Sequence, residues 1–448
     1  MNDMTGNKKI EGGFILRRIG CIDEVCRCAE FNTLYNNKLE GATYECLHKH
    51  HPGLRWDESL YIERVTGKDG NSRVAGRDIA ATVCLIPWEM DFDGVPLKTA
   101  QLEMVLTHPA YRKRGLAERL IIRFMEGLQP AGYDVSIIWG IPYYYRKYGY
   151  TYCMYGNGYE TLPAANIPDA DVELSRGGAS VRVAPGGRLA LRKTVVTDAP
   201  ALAKLYDASV RDCKIFLKRD YEYWRYLIRD AKHPLYMIDG VDRNNSAGIR
   251  SVGYLIYQQP DDSQLRIIEN GVGGYADGLS VLRLLKKKCG GLIHVGGNPD
   301  GVLAGLARSF GAISTQREQW LVRVTDMTSF MMKIAPVLEK RLASSGCAGV
   351  SAALVINTYK KAYRIVIADG KIVSCDDIGF KDYSMGADGG DICIPADALT
   401  RLIFGFRQLE MLTDAWPDIT VKKAASPLID ALFPAASAYV STPYHYLA

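Results

Sequence analysis

The sequence of 448 residues predicts a mixed α/β (α+β) chain built in about three blocks. Three observations lead there. A hairpin, a helix and a strand follow one another between Asp78 and Trp139. The same order recurs between Leu189 and Val295. In the last third, three short strands lie among helices. The implied boundaries are a first domain over residues 1–160, a loop-rich linker over 161–188, a second domain over 189–325 and a third over 326–448.

The first block opens with a short strand at Leu16 to Arg18 and a helix from Cys21 to Asn37, with Ile22, Val25, Phe31 and Leu34 among its apolar positions. Asp78 to Trp88 and Ala100 to Thr107 are rich in β-formers and flank the turn Asp93-Gly94, which reads as a hairpin. From Arg112 to Leu128 the residues Leu116, Ala117, Leu120, Ile121, Phe124 and Leu128 form one helical face, stopped by Pro130 and Gly132. Val135 to Trp139 reads as a buried strand, so a βαβ crossover and a mixed sheet are expected. Thr161 to Arg188, rich in Pro, Gly and Ala, reads as loop.

The second block repeats this order as architecture rather than as sequence: a strand at Leu189 to Lys193, a helix at Asp198 to Ser209, a hairpin through Leu235 to Tyr257 and Leu265 to Glu269, a helix at Ala276 to Lys288 and a strand at Gly291 to Val295. The third block predicts a helix from Phe330 to Leu342, and strands at Ser351 to Asn357, Tyr363 to Ala368 and Lys371 to Cys375 with Asp369-Gly370 as the hairpin turn. Helices at Pro395 to Phe404 and Pro427 to Phe433 follow.

Composition narrows the function classes. The net charge of +5 is mild for this length and gives no footprint of nucleic-acid binding. No stretch reaches the roughly 20 apolar residues of a membrane span, and MNDMTGNKKIEGG lacks the apolar core of a signal peptide, so a cytoplasmic protein is expected. Cys21, Cys26 and Cys28, the tightest of eleven cysteines, lack the paired spacing of a zinc site. The run His48, Lys49, His50, His51 has no acidic or cysteine partner at metal-binding spacing and reads as a solvated loop or the wall of a substrate pocket. No metal is expected.

Val105-Leu106-Thr107 ends a strand, the chain turns through His108 and Pro109, and a helix begins at a basic turn bearing glycine: Arg112, Lys113, Arg114, Gly115, Leu116, Ala117, Glu118. The first turn of a helix presents unpaired N–H groups and the positive end of its dipole, which suits a pyrophosphate. Gly115 lets the backbone approach an anion. In this setting Arg112-x-x-Gly115-x-Ala117 resembles the acetyl-CoA pyrophosphate loop of the GNAT acetyltransferase superfamily. A tyrosine cluster, Gly140-Ile141-Pro142-Tyr143-Tyr144-Tyr145-Arg146-Lys147-Tyr148-Gly149-Tyr150, follows the Val135 to Trp139 strand. Its second half is similar to the Tyr-x-x-Phe-Gly-Tyr run of the Eis (enhanced intracellular survival) acetyltransferases.

The resemblance implies two tandem GNAT-like mixed-sheet domains, the second degenerate, and a C-terminal domain resembling sterol carrier proteins. It implies acetyl-CoA as co-substrate, held by Val105 to Thr107, Arg112 to Glu118, Gly140 and Ile141. Tyr145 would be the general acid, and the terminal carboxylate, here that of Ala448, would act as base or electrostatic partner. The acceptor would be a primary amine of a small molecule or peptide, and the assembly a homo-oligomer, possibly a hexamer. Two features depart from the Eis type that acetylates aminoglycosides: Leu447 replaces an acidic residue and Ala448 a terminal phenylalanine. A pocket for a polycation calls for negative charge, so the resemblance does not carry the acceptor with it. The alternatives are a non-catalytic acyl-CoA-binding regulator and a lipid-binding protein using the third block. The turn Asn270-Gly271-Val272-Gly273-Gly274-Tyr275 lacks the phosphate-binding arginine, so no second cofactor is expected there.

Overall fold

Apolar and β-branched residues run almost unbroken through Ile79–Phe92, and this strand is buried on both faces for most of its length. It forms the middle of the first sheet. The structure, a computed structural model, describes residues 8–10, 12–64, 79–176, 179–183, 189–241, 249–384 and 388–443. In chain order the first sheet contains β1 (Lys8–Ile10), β2 (Phe14–Arg18), β3 (Leu60–Arg64), β4 (Ile79–Phe92), β5 (Val95–Thr107), β6 (Val135–Ile138) and β7 (Thr151–Tyr155). Helices α1 (Ile22–Tyr35) and α2 (Lys38–His50) cover one face, and α3 (Leu116–Leu128) carries the chain across the other from β5 to β6. Among the pairs formed by β1 to β6, β5 and β6 run parallel, as a helical crossover requires, and the others run antiparallel.

The strand lying between β6 and β7 is Gln319–Val324, from far along the chain. The second sheet makes the reciprocal exchange. Its order is Leu189–Lys193, Leu235–Val241, Ile249–Asp261, Gln264–Asn270, Leu292–Gly297, then β8 (Gly158–Pro163), then Ile313–Ser314. Gln264–Asn270 and Leu292–Gly297 are its parallel pair, so the architectural repeat extends to strand order and sense. The third sheet is Lys371–Gly379, Ala362–Ala368, Ala352–Asn357, Ile392–Cys393, Thr420–Val421. Asp369 and Gly370, both with positive φ, make its tight hairpin turn. Among the described residues the apolar core forms three clusters, of which one takes residues from all three sheets and includes Phe92, Phe330 and Phe404.

Several elements differ from expectation. The helix predicted from Arg112 starts at Leu116, because Lys113 and Gly115 take φ of 63° and 72° and a helix cannot pass through them. The stretch 161–188, read as loop, contains the end of β8 and a hairpin of Val172–Arg176 with Ala179–Val183; a strand completing a remote sheet has no local partner to announce it. The single helix at Phe330 to Leu342 is two, Met327–Lys333 and Ala335–Ala343, divided at Ile334 just before Pro336. α2, β3, Tyr221–Arg229 and Val302–Ser309 were not foreseen. No described helix is long and apolar enough to cross a membrane.

Candidate active site

The site begins with an irregularity in the β4–β5 hairpin. Its register slips between Thr82 and Cys84, opposite Glu103 to Leu106, and Met104 takes a φ of 52°. Such a bulge bends a strand away from its neighbour. On the other edge of β5, pairing with β6 is confined to Thr99 to Gln101 opposite Val135 to Ile137. β6 ends at Ile138 while β5 runs on to Thr107, so the two parallel strands part beyond Gln101. Val105, Leu106 and Thr107 lie on β5 beyond its last residue paired with β6 and are half-buried.

At the end of β5 the chain turns through a short helical turn, Pro109–Tyr111. Ala110 N donates to His108 Nδ1 at 3.1 Å, and His108 Nε2 lies 2.8 Å from the Tyr35 hydroxyl. Arg112, Lys113, Arg114 and Gly115 are exposed, and none of the three basic side chains is in an ion pair among the described residues. Gly115 is the N-cap of α3 in left-handed conformation and offers no side-chain cap. The first N–H groups of α3 therefore face outward beside exposed positive charge, an arrangement suited to an anion. Leu116 is buried, Ala117 half-buried and Glu118 exposed in the same turn. Glu118 is the one unfavourable charge there.

Tyr145 lies in the turn Tyr144–Tyr148 that follows β6 and is only 4% exposed. Its ring covers Gly140: a Cβ there would stand 2.3 Å from the ring, so the glycine makes room for the tyrosine. Tyr144 and Tyr150 meet it edge-on at 5.1 and 6.2 Å, and Tyr150 is tied to Ser136 Oγ at 2.7 Å. Burial first, then the Glu103 carboxylate, raises the Tyr145 phenol above its ordinary value, so it stays protonated at neutral pH. Gly140 and the exposed Ile141 line a separate cavity of about 660 Å³ with Trp139, Tyr152 and Arg317. Gly140 follows the end of β6 and Tyr145 packs on it, while Val105 to Thr107 continue β5 beyond its pairing with β6.

Glu103 was not singled out from the sequence. An acidic residue within the apolar run Leu102 to Leu106 is the signal that would have found it. Its Oε2 accepts from Gln101 Nε2 at 2.8 Å, and Gln101 Oε1 accepts from Trp88 Nε1 at 2.7 Å. The histidine run is not a solvated loop. His48 sits in the last turn of α2, buried against Ser59 Oγ and Tyr44 O, while His51 is buried against Trp88, Tyr223 and Tyr226. Burial lowers both imidazoles to about 4. His51, Trp88, Lys98, Arg219 and Tyr223 wall a cavity of about 840 Å³. Among the described residues no group of three or more His, Cys, Asp or Glu side chains is placed to hold a metal.

Residues 55–153 match the family profile of the acetyltransferase (GNAT) domain. The chain carries a GNAT acetyltransferase domain. The matched span runs from the end of α2 to β7 and contains the parted strands, the glycine turn and the tyrosine cluster. Beyond the GNAT domain the likeness is one of fold. A GCN5-related N-acetyltransferase from Anabaena variabilis, 16% identical, superposes with a TM-score of 0.64 over 95% of this chain and 99% of its own. An Enterococcus faecalis protein described as a probable N-acyltransferase gives 0.69 at 14% identity over 96% and 99%. Eis1 from Mycobacterium abscessus gives 0.59 at 15% identity over 96% and 99%. No curated protein matches by sequence. Of the two catalytic expectations, Tyr145 is placed as described above; Ala448 lies outside the described residues, as do Tyr444 and Tyr446.

Proposed function

We propose that the protein transfers the acetyl group of acetyl-CoA directly to a primary amine of a small molecule or peptide. The observation that carries this reading is the parting of β5 from β6 beside an uncapped, glycine-started helix. Arg112 to Glu118 would hold the pyrophosphate, and Val105 to Thr107 with Gly140 and Ile141 the thioester arm. The amine nitrogen forms the amide bond as the carbon–sulfur bond breaks. Tyr145, kept protonated by burial, gives its proton to the departing thiolate, whose conjugate acid ionises near 8.5. The amine proton passes to a carboxylate: Glu103 on β5 is one candidate, and by resemblance to Eis the terminal carboxylate at Ala448 is the other.

The second sheet is read as a GNAT-like partner that binds no acetyl-CoA, the third block as sterol-carrier-like, and the protein as a cytoplasmic homo-oligomer. The decisive experiment is thiol release from acetyl-CoA against a panel of amines with the full-length chain. Acetyl-CoA binding without turnover on any amine would favour a regulatory acyl-CoA binder instead. A lipid bound in the third block, with no affinity for acetyl-CoA, would favour a lipid carrier.

A further inference from the structure

Gln101 is wholly buried, and its paired neighbours are Ile86 on β4 and Ile137 on β6. A buried amide costs stability unless its hydrogen bonds are made. Gln101 makes one at each end: Oε1 accepts from Trp88 Nε1 at 2.7 Å, and Nε2 donates to Glu103 Oε2 at 2.8 Å. The direction of this chain of bonds is set at Trp88. An indole N–H only donates, so the amide must present its oxygen to Trp88 and its NH2 group to Glu103. Trp88 is itself buried, with the rings of Tyr223 and His51 edge-on to it at 4.9 and 6.3 Å.

Gln101 is the last residue of β5 paired on both sides. Two residues on, Glu103 is paired with Cys84 of β4 and lies beyond the pairing with β6, beside the register slip and the positive φ of Met104. Of its two carboxylate oxygens, Oε2 takes the short bond from Gln101 and Oε1 a long one, 3.4 Å, from Met104 N. The bond from Gln101 thus ties a side chain on the irregular stretch to one on the regular stretch. The carboxylate is within electrostatic reach of Tyr145, whose phenol it helps to raise. A carboxylate and a proton donor acting on one centre must keep their aim, because small misplacements cost rate.

We infer that Trp88 and Gln101 are positioning residues: the indole N–H fixes which way the amide faces, and the amide fixes the Glu103 carboxylate for the acceptor amine. This rests on the acetyltransferase reading above, with Glu103 as the group that takes the amine proton. A double-mutant cycle tests it, since a chain of hydrogen bonds is apportioned cleanly only that way. Trp88→Phe keeps an aromatic ring and removes the donor. It is made in the full-length parent and in Glu103→Gln. In the parent, kcat/KM for the amine should fall about fivefold or more, while the KM for acetyl-CoA holds. In Glu103→Gln the same change should alter kcat/KM by less than about twofold, because no carboxylate is left to aim. Gln101→Met, of similar length and without either bond, should give the same pattern in the two backgrounds. Equal losses with and without Glu103, as loosened packing alone would produce, overturn the inference, and so does an unaltered kcat/KM in Trp88→Phe and Gln101→Met. Crystal structures of the parent and Trp88→Phe give a readout free of turnover: the Gln101 amide and the Glu103 carboxylate should turn, and unmoved side chains overturn the inference. A parent inactive on every amine sinks the acetyltransferase reading and leaves the two structures to judge the chain of bonds.

Discussion

Glu103 and Glu269 occupy equivalent places in two sheets of the same order, each two residues beyond the last parallel-paired residue of its strand. Their surroundings are opposite. Glu269 is sealed under Arg219, Tyr254 and Ser441, whereas Glu103 is half-buried, steadied by the neutral amide of Gln101 and set beside an opening.

Removing the Glu103 carboxylate is the first prediction. Glu103→Gln keeps shape and the Gln101 contact but removes the anion. We expect kcat/KM for the amine to fall about tenfold or more, as for loss of a charge-assisted hydrogen bond worth ~1.5–3 kcal/mol. Acetyl-CoA affinity should be unchanged. Steady-state kinetics with the best amine of the panel measures it, and an unaltered kcat/KM would leave Glu103 without a part in the acceptor site.

Tyr145→Phe preserves the ring against Gly140 and loses only the proton. A general acid contributes about 10²–10⁴-fold, so kcat should drop by about a hundredfold or more while thermal stability stays near that of the parent. Retention of kcat would mean that the thiolate takes its proton elsewhere.

Gly115→Asp tests the cofactor turn. With φ at 72° any side chain is strained there, and this one adds a negative charge at the mouth of α3. Acetyl-CoA binding, followed by calorimetry, should weaken by about an order of magnitude or more. Gly115→Ala, which adds strain without charge, should fall between the two. Equal affinity in all three proteins would move the cofactor away from this turn.

Acid should destabilise the chain earlier than carboxylate titration alone would. His48 and His51 are lowered to about 4 when folded, from about 6.5 unfolded. The unfolded chain then binds more protons, so stability is full above about pH 6.5 and declines as pH falls toward 4. Glu269, held below its ordinary value by Arg219 against the opposing effect of burial, adds a further loss below about pH 4.5. Thermal midpoints measured from pH 7.5 to 4 should fall throughout that window, and His51→Phe should flatten part of the slope. A midpoint constant between pH 6.5 and 5 would contradict the burial of these imidazoles.

What the sequence shows and what it hides divide along the range of the interactions. The hairpin of Ile79–Phe92 with Val95–Thr107, the face of α3 and the Asp369-Gly370 turn are local patterns, readable within one or two dozen residues. The glycine turn before α3 was legible for the same reason, because strand, glycine and amphipathic helix are contiguous. Glu103 was not, since its importance comes from Gln101, Trp88 and the parting of β6. α2 escaped because His48, Lys49 and His50 blur its last turn, and Tyr221–Arg229 because its aromatic residues read as strand-formers. Nothing near Gly158–Pro163 or Gln319–Val324 tells which sheet will take each strand.

The exchange of those two strands bears on how the protein is made. On the ribosome, β6 emerges with its inner neighbour, β5, already synthesised, but its outer neighbour is Gln319–Val324, roughly 180 residues later. Domains ordinarily fold one by one as the chain is produced. Here the first sheet waits, its edge open, until most of the polypeptide has been translated, and β8 meanwhile waits for Leu292–Gly297. The first sheet is therefore completed late, and through that interval the outer edge of β6 offers unpaired backbone groups to any other strand.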